Sequence, residues 1–258
     1  MVTNEPVATL AGKVAVISGS SAGIGAAISR ELSDRGATVV INYPSANLRV
    51  DAEKVLSSLS RPGIAVEADL STINGPAHLV KSAVAAYGKI DILVNNAAIA
   101  VNKPLEDQNL EDWNALVNLN GRGNFLLTKA TLPHLSHGQG RIVNIVSNSS
   151  RDAPPWQTIY AGTKGMVDSF TRCWAKELPP KYGCTVNAVS PGPTNTEGFA
   201  AAGEGVMKIL QPIMDRTPRG ARMADPSEIA FAVGFLCEER AGWVNGEHLM
   251  VNGGLFVD

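Results

Sequence analysis

The sequence predicts an α/β fold in which a seven-stranded, doubly wound parallel sheet carries helices on both faces. Strand-like and helix-like segments alternate along the chain, and the strands are short, continuously apolar and followed by glycine or polar residues. Strands of a parallel sheet are buried on both faces, so they have this uninterrupted apolar character. The sequence contains no linker, repeat or low-complexity stretch, so we interpret residues 1–258 as a single domain.

The first half of the chain supplies four predicted strands and the three helices between them. An apolar run that stops at a glycine predicts the first strand, and apolar residues at helical spacing predict the helix that follows. The β-branched run TVVINY predicts the second strand. In chain order the predicted strands are 14–18, 38–43, 64–68 and 90–94, and the predicted helices are 24–32, 52–59 and 78–87.

The second half continues the alternation with longer helices. A long apolar-periodic stretch predicts one continuous helix over 113–135. Two of the last three predicted strands end in a proline–glycine or glycine–glycine pair, which breaks regular structure. The predicted strands are 141–147, 184–190 and 248–251, and the other predicted helices are 160–178 and 226–236.

Composition excludes several classes of protein. The chain is 45% apolar and 18% charged with a net charge of −2, unlike a disordered chain or a basic nucleic-acid-binding surface. No secretory signal and no membrane-length apolar run is visible. Cys173, Cys184 and Cys237 are dispersed, and His134 and His137 have no further ligand at metal-binding spacing. We therefore expect a soluble cytoplasmic protein with free thiols, no metal and no nucleic-acid or membrane partner.

The turn after the first predicted strand is rich in glycine. Gly19, Gly23 and Gly25 follow the G-x-x-x-G-x-G spacing and lead directly into a helix. Glycines let backbone N–H groups approach a phosphate closely, and the helix points its positive end at the same anion. The turn therefore predicts a binding site for the pyrophosphate of a dinucleotide.

The end of the second predicted strand indicates which dinucleotide binds. NAD-binding sites tend to place an acidic residue there, against the ribose 2′-hydroxyl. Here Tyr43 and Ser45 occupy the region, and no carboxylate follows until Asp51. This favours NADP(H) over NAD. Arg49 is either a partner for the 2′-phosphate or a solvated helix residue, and the sequence leaves both readings open.

Tyr160 and Lys164 lie four residues apart within a predicted helix, so both side chains lie on the same helical face. An ammonium beside a phenol favours the phenolate, so we expect Lys164 to lower the pKa of Tyr160. A tyrosine with a lowered pKa is a usable general acid or base. Ser147, thirteen residues before the tyrosine, is a candidate to bind the oxygen that exchanges the proton.

These motifs resemble those of the short-chain dehydrogenase/reductase family, and the resemblance covers about residues 12–254. The glycine turn resembles T-G-x-x-x-G-x-G with Ser18 in place of threonine. The segment NNAA at 95–98 resembles N-N-A-G, with Ala98 adding a methyl group near the cofactor. The segment PGPTNT at 191–196 resembles P-G-x-x-x-T.

Ser147, Tyr160 and Lys164 match the family's catalytic serine and Y-x-x-x-K motif. For the catalytic asparagine, a phenylalanine five residues later selects Asn120, and Asn118 stays as the alternative. The resemblance implies a Rossmann-like fold and proton donation by Tyr160. With the turns above, it places cofactor contacts at Gly19, Ser21, Gly23, Ile24, Gly25, Tyr43, Ser45, Asp69, Leu70, Asn96, Ala97, Tyr160, Lys164, Pro191, Gly192, Thr194 and Thr196.

The resemblance also implies an activity and an assembly. It implies an NADPH-dependent ketoreductase similar to fungal naphthol-type polyketide reductases, acting in secondary metabolism on a small carbonyl compound as a homotetramer or homodimer. A 3-oxoacyl-carrier-protein reductase, an epimerase and a catalytically silent NADP-binding scaffold are the alternatives. We expect residues 197–217 to form a substrate lid. Phe199, Met207 and Trp156 either line the substrate pocket or pack structurally.

Overall fold

Seven strands form one parallel sheet in this computed structural model, which describes residues 8–197 and 211–257. Every neighbouring pair of strands is parallel. The strands are β1 (Val14–Ile17), β2 (Thr38–Tyr43), β3 (Ile64–Glu67), β4 (Ile92–Asn95), β5 (Arg141–Ile145), β6 (Thr185–Pro191) and β7 (His248–Val251). The predicted fold class is confirmed.

The strand order, β3-β2-β1-β4-β5-β6-β7, reverses direction at the first strand. Strand β1 pairs with β2 on one side and with β4 on the other, so the chain winds outward in both directions from β1. In an open sheet of this kind, ligands bind beyond the carboxyl ends of the strands at the reversal. The glycine turn after β1 therefore lies where a dinucleotide is expected.

Helices cover both faces of the sheet. Those that lie wholly within the described residues are α1 (Gly23–Asp34), α2 (Arg49–Ser57), α3 (Gly75–Tyr87), α4 (Leu110–Leu116), α5 (Asn124–Thr131), α6 (Ser149–Asp152), α7 (Thr158–Glu177), α8 (Pro179–Tyr182) and α9 (Pro226–Cys237). Local sequence sets several of their ends. Capping boxes begin α4 at Asn109 and α9 at Asp225, and a left-handed glycine, Gly88, ends α3.

Two hydrophobic layers sandwich the sheet. Ala15 and Ile17 of β1 pack into the layer beneath α1, α2 and α9, while Val16 between them packs into the layer beneath α3, α5 and α7. Alternate residues of one strand thus enter opposite layers, which explains why the strands read as continuous apolar runs. Among the described helices, none combines the length and apolarity needed to cross a membrane.

The predicted continuous helix over 113–135 is wrong in detail, because the structure interrupts it. A π-helical segment, Val117–Gly123, lies between α4 and α5, and a 3₁₀ turn, Leu132–His134, follows α5. A Cβ added at Gly123 would lie 2.5 Å from the carbonyl oxygen of Leu70, so the segment passes very close to another backbone. π-Helical turns inside helices are rare and occur frequently at functional sites.

Candidate active site

The residues predicted to contact the cofactor lie along the carboxyl edge of the sheet. They lie at or just after the ends of β1 (Gly19, Ser21, Gly23, Ile24, Gly25), β2 (Tyr43, Ser45), β3 (Asp69, Leu70), β4 (Asn96, Ala97) and β6 (Pro191, Gly192, Thr194, Thr196), with Tyr160 and Lys164 on α7. The fold therefore brings residues from widely separated parts of the chain to one edge of the sheet.

The turn after β1 forms a close-fitting cradle. Gly19 and Gly23 adopt φ angles of +59° and +55°, which side-chain-bearing residues rarely adopt. A Cβ added at Gly25 would lie 2.4 Å from the Gly19 carbonyl oxygen and 2.6 Å from the Asn96 amide nitrogen. Ser18 Oγ accepts hydrogen bonds from the backbone N–H groups of Asn96 and Ala97, at 2.8 and 2.9 Å. The cradle therefore requires glycine and is fixed to the turn after β4.

The amino end of α1 presents backbone N–H groups to this cradle. The N-cap residue, Ala22, makes no side-chain cap, and the Gly23 N–H instead donates to a carboxylate oxygen of Glu197 at 3.4 Å. A carboxylate at this position stands in for a phosphate, because both are anions that accept from N–H groups at a positive helix end. The cradle and this anion contact fit the pyrophosphate of a dinucleotide.

The region beyond β2 holds Arg49 and also a carboxylate, Glu67, that the sequence did not indicate. The Tyr43 hydroxyl and the Glu67 carboxylate both act to raise the pKa of the Arg49 guanidinium. Arg49 and Glu67 lie 3.6 Å apart, and both are exposed. Glu67 is reached through the pairing of β2 with β3, where it lies opposite Tyr43. Knowledge of that strand register would have been needed to find it.

Asn42 is a second residue that the sequence analysis missed. Its side-chain oxygen accepts from the Gly19 N–H at 3.0 Å, and its nitrogen donates to the Ala68 carbonyl at 2.9 Å. The buried amide thus joins the turns after β1 and β3. A polar residue inside an otherwise apolar strand was the available signal, since buried polar groups are almost always hydrogen-bonded.

Asn120 lies at the centre of the π-helical segment and is almost fully buried. Its amide nitrogen donates to the Ile99 carbonyl at 2.9 Å and to Thr163 Oγ1 at 3.1 Å, and its oxygen accepts from the Ile99 N–H at 3.0 Å. Thr163 precedes Lys164 on α7. The geometry therefore supports Asn120 over Asn118, because Asn120 links the turn after β4 to the helix that carries Tyr160.

Ser147 and Tyr160 meet at the end of β5. The Ser147 hydroxyl lies near the Tyr160 phenol and acts to lower its pKa, and Ser147 Oγ accepts from the Ser149 N–H at 3.2 Å. Ser147 is 8% exposed, while Tyr160 is partly exposed. Two hydroxyl groups at one point are the arrangement needed to bind a single carbonyl oxygen.

Lys164 lies one helical turn beyond Tyr160. Its ammonium donates to the Ile145 carbonyl at 2.7 Å and lies 5.9 Å from the centre of the Tyr160 ring. Burial lowers the pKa of Lys164 to about 8. The ammonium is therefore close to titration near neutral pH, which is unusual for a lysine.

The pKa of Tyr160 is raised in the structure, so the prediction that it is lowered is wrong. Desolvation raises the pKa of the Tyr160 phenol, and the hydrogen bond from Ser147 offsets this only in part. The physical reason is that the surroundings of the hydroxyl disfavour the phenolate more than nearby donors favour it. The raised pKa keeps the Tyr160 phenol protonated at neutral pH.

The segment after β6 lies against the glycine turn after β1 and against the loop after Ser147. A Cβ added at Gly192 would lie 2.9 Å from Asn252 Cα, so this turn also requires glycine. Thr196 packs against Gly23, and the Asn148 N–H donates to the Pro191 carbonyl at 3.1 Å. The candidate cofactor turns and the loop after Ser147 therefore form one connected surface.

The expected substrate-contacting residues are only partly described. Trp156 has a φ of +68°, a strained conformation for a bulky residue, and is 47% exposed. Phe199 and Met207, and most of the predicted lid over 197–217, lie outside the described residues. Within the described ranges, no group of three or more His, Cys, Asp or Glu side chains is arranged to hold a metal ion.

Comparison with known proteins gives consistent matches over almost the whole chain. A family model described as "Enoyl-(Acyl carrier protein) reductase" matches residues 19–256. The short-chain dehydrogenase/reductase FrzI of Cladobotryum sp is 38% identical over 256 residues, covering 97% of this chain and 98% of the relative. The hydroxynaphthalene reductase arp2 of Aspergillus fumigatus is 35% identical over 248 residues, covering 92% and 90%.

Solved structures match equally well. A short-chain dehydrogenase from Burkholderia cenocepacia in complex with NADP has a TM-score of 0.88 at 33% identity, covering 96% of this chain and 99% of that structure. A blue fluorescent protein from a metagenomic library in complex with NADPH has a TM-score of 0.90 at 33% identity, covering 96% and 100%.

Proposed function

Because this chain belongs to the short-chain dehydrogenase/reductase family, whose members are oxidoreductases acting on CH–OH or ketone groups, we propose that it is an NADPH-dependent ketoreductase in which Tyr160 donates the proton. The observation that carries this proposal is the convergence of Ser147, Tyr160 and a buried Lys164, one helical turn beyond the tyrosine, at the sheet edge that also holds the glycine cradle. The other expected motifs, which lie at the same edge of the sheet, support the same proposal.

The proposed roles follow from the geometry. The bound nicotinamide supplies the hydride that adds to the carbonyl carbon. Ser147 and Tyr160 bind the carbonyl oxygen together, which polarises the carbonyl and fixes its position. Tyr160 then releases its proton to that oxygen. Its raised pKa keeps it protonated and ready to donate at neutral pH.

Lys164 and Asn120 support the proton transfer. As Tyr160 loses its proton, the nearby ammonium of Lys164 stabilises the negative charge that develops on the phenol. Its low pKa, about 8, also allows it to pass a proton onward. Asn120 holds the backbone of Ile99 beside α7, where we propose that it positions a water molecule for proton supply from solvent.

The decisive test of this mechanism is Tyr160→Phe. We expect NADPH consumption with a ketone to fall roughly 1,000-fold, because removal of a general acid typically costs 10²- to 10⁴-fold. The dissociation constant for NADPH, measured by fluorescence titration, should change less than threefold. Tyr182→Phe, which removes a phenol beyond the far end of α7, is the matched control and should keep full activity. Retained turnover in Tyr160→Phe with NADPH bound would contradict the proposal.

We also propose NADP(H) as the preferred cofactor. No carboxylate lies directly at the end of β2, and Arg49 is held beside Tyr43 where a 2′-phosphate would approach. Glu67 competes for Arg49, so the preference should be moderate. We expect NADPH to bind more tightly than NADH. Ser45→Asp should reverse that order by placing a carboxylate near the phosphate, whereas Ser57→Asp, at the far end of α2, should leave it unchanged.

The substrate we propose is a ketone of a flat, aromatic polyketide, in secondary metabolism. Relatives named hydroxynaphthalene reductase and versicolorin reductase 1 support it. The description of the matching family model supports a second candidate, an acyl-carrier-protein thioester. A substrate panel separates them, because a bicyclic aromatic ketone should be turned over and an acetoacetyl thioester should not. Tight NADPH binding with no turnover of any ketone would instead favour a silent cofactor-binding scaffold.

We also propose that the protein is a homotetramer in the cytoplasm. Exposed apolar side chains lie on α4, α5 and α7 and again around α9, which is unusual for a monomer and supports a homotetramer. They include Leu110, Trp113, Phe125, Met166, Phe231, Phe235 and Trp243. We expect light scattering to give a tetrameric mass, and Phe125→Arg to reduce it. Three free cysteines support a reducing compartment, the cytoplasm.

A further inference from the structure

Behind the candidate active site lies a buried polar cluster centred on Asp168 and His248. His248 of β7 contacts Asp168 of α7 through Nδ1, at 2.7 Å, and Ser190 of β6 through Nε2, at 2.6 Å. The second oxygen of Asp168 accepts from Arg172 at 2.6 Å and from Arg151 at 3.2 Å. The side chains of Asp168 and His248 are 7% and 8% exposed.

The contacts assign the protons on His248. Nδ1 lies close to a carboxylate oxygen, which only accepts hydrogen bonds, so Nδ1 carries the hydrogen. In the neutral ring Nε2 is then an acceptor, and the Ser190 hydroxyl donates to it. The imidazole therefore relays a hydrogen bond from β6 to α7. Arg151 lies 3.2 Å from Nδ1, but with the hydrogen on Nδ1 both groups are donors, so the partner of Arg151 in this cluster is the Asp168 carboxylate.

The carboxylate of Asp168 is firmly ionised. Burial acts to raise the pKa of the Asp168 carboxyl, but His248, Arg172 and Arg151 together outweigh burial and lower it. One buried carboxylate thus receives three donors from three elements: α7 itself, β7 and α6. Charge-assisted hydrogen bonds of this kind are stronger and more directional than neutral ones.

Serine, histidine and aspartate in this order resemble the groups of a hydrolase, but burial excludes that chemistry here. Ser190 has no exposed surface, so its hydroxyl cannot reach a substrate. A nucleophile must lie within reach of the atom that it attacks. The cluster therefore acts through the elements that it connects.

Those elements are the ones that carry the candidate catalytic groups. Asp168 follows Tyr160 by eight residues and Lys164 by four, so the three lie along one row of α7. Arg151 follows Ser147 by four residues and lies in α6, the short helix between β5 and α7. Ser190 directly precedes Pro191, whose carbonyl accepts from the Asn148 N–H. Small shifts within the cluster would thus be transmitted to both catalytic hydroxyls.

We infer that Asp168 and His248 are positioning residues for the reductase, which hold α7 and the loop after Ser147 in the relation that lets the Ser147 and Tyr160 hydroxyls meet. This inference rests on the proposed function. Displacement of a catalytic group by about 1 Å can cost roughly 100-fold in rate. Small shifts of α7 or of the loop after Ser147 would therefore lower the rate substantially.

The test compares His248→Leu with His248→Asn. Leucine removes both hydrogen bonds, and we expect kcat to fall roughly 10- to 100-fold. The NADPH dissociation constant should stay within twofold, because the cofactor cradle is not touched. The kinetic isotope effect with 4-deuterated NADPH should rise as hydride transfer becomes rate-limiting. Asparagine can place an amide nitrogen near Nδ1 and restore the bond to Asp168, so it should recover most of the activity.

A second readout is independent of turnover. The Tyr160 phenol is titrated by ultraviolet absorbance, as the difference between each protein and its Tyr160→Phe counterpart. Since the Ser147 hydrogen bond lowers the pKa of Tyr160, loss of positioning should move the phenol titration to higher pH in His248→Leu and not in His248→Asn. If His248→Leu fails to fold, Ser190→Ala removes only the outer bond and should show the same changes at smaller size.

Asp91→Asn is the matched control for stability. It weakens another buried carboxylate, at the opposite edge of the sheet, and should leave kcat per folded molecule and the phenol titration unchanged. Unchanged kcat, isotope effect and phenol titration in folded His248→Leu or Ser190→Ala would overturn the inference. If instead the proposed function is wrong, the wild type itself will consume no NADPH with any ketone, which distinguishes that failure from failure of the inference. In that case the phenol titration still decides whether His248 positions Tyr160.

Discussion

The two edges of the sheet treat a buried charge in opposite ways. At the amino edge, Asp91 is 1% exposed and its carboxylate accepts from the Val14 N–H at 2.8 Å and pairs with Lys89 at 2.9 Å. At the carboxyl edge, Lys164 is 4% exposed, and its described partner is a neutral backbone carbonyl, that of Ile145. The first charge is compensated by an opposite charge, and the second is compensated only by a dipole.

The pKa shifts show what this difference means. Burial acts to raise the pKa of Asp91, but Ser136, Lys89 and Val14 outweigh it and the pKa is lowered. For Lys164, burial dominates and lowers the pKa to about 8. The charge of Asp91 therefore stabilises the fold at neutral pH, whereas the charge of Lys164 costs stability there. A destabilising buried charge at a candidate active site indicates a functional requirement.

Arg141 sharpens the comparison because it is also buried among carbonyl groups. It lies at the start of β5, at the amino edge, and donates to the carbonyls of Gly140 and Glu238. Burial lowers the pKa of its guanidinium, but a guanidinium keeps its charge at any physiological pH. Burial alone thus does not make a proton-transfer group. Arg141, the buried cation at the amino edge, cannot titrate, whereas Lys164, the buried cation at the carboxyl edge, can.

The largest expected effect comes from replacing each of two lysines, Lys164 and Lys89, by methionine in separate variants. Lys164→Met should lower kcat for ketone reduction roughly 100- to 1,000-fold, because it removes the charge that stabilises the developing phenolate. Lys89→Met, at the amino edge, should keep kcat and lower only the free energy of unfolding. Steady-state kinetics and urea unfolding of both variants measure this contrast. Equal effects on kcat would show that the two edges do not differ in the way described.

Glycine substitutions give the next largest effect. Gly25→Ala places a methyl group against the Gly19 carbonyl and Asn96, so NADPH binding should weaken at least about tenfold as the cradle is displaced. Gly165→Ala is the matched control, because nothing lies within 4 Å of its added Cβ. It should stabilise α7 by up to about 1 kcal/mol. Calorimetric NADPH titration and thermal melting distinguish the two.

Asp91→Asn tests the compensated charge. At pH 7 we expect the free energy of unfolding to fall by about 1–3 kcal/mol, the usual cost of a disrupted buried hydrogen-bond pair. Because the folded pKa of Asp91 is lowered, its contribution is fully present above the unfolded value and is lost as the pH falls through the folded value. The difference between variant and wild type should therefore shrink in acid. A difference that is constant with pH would mean that the charge of Asp91 contributes nothing.

The smallest effect tests the uncompensated charge. The folded pKa of Lys164, about 8, lies below the ordinary lysine value of 10.5, so the unfolded chain binds more protons between these values. Stability should therefore rise with pH across that window. Wild type minus Lys164→Met should show a rise of about 1–2 kcal/mol between pH 7.5 and 9.5. Chemical unfolding of both proteins at each pH isolates this contribution, and a flat difference would contradict the lowered pKa.

The sequence by itself determined the elements whose signals are local. Seven apolar runs, each followed by turn residues, predicted the seven strands, and the strand character of each follows from burial on both faces. The glycine spacing after β1 and the four-residue spacing of Tyr160 and Lys164 indicated the cradle and the helical row directly. These features depend on neighbours within a few residues, so they can be recognised in one chain.

Other features were decided only by tertiary structure. The helix predicted over 113–135 is interrupted because Asn120 bonds to Ile99 and Gly123 passes close to Leu70. The pKa of Tyr160 is raised because desolvation depends on every element packed around the hydroxyl. The pairing of His248 with Asp168 joins residues eighty positions apart. Contacts and burial of this kind arise from the packing of distant segments, which local spacing and composition do not encode.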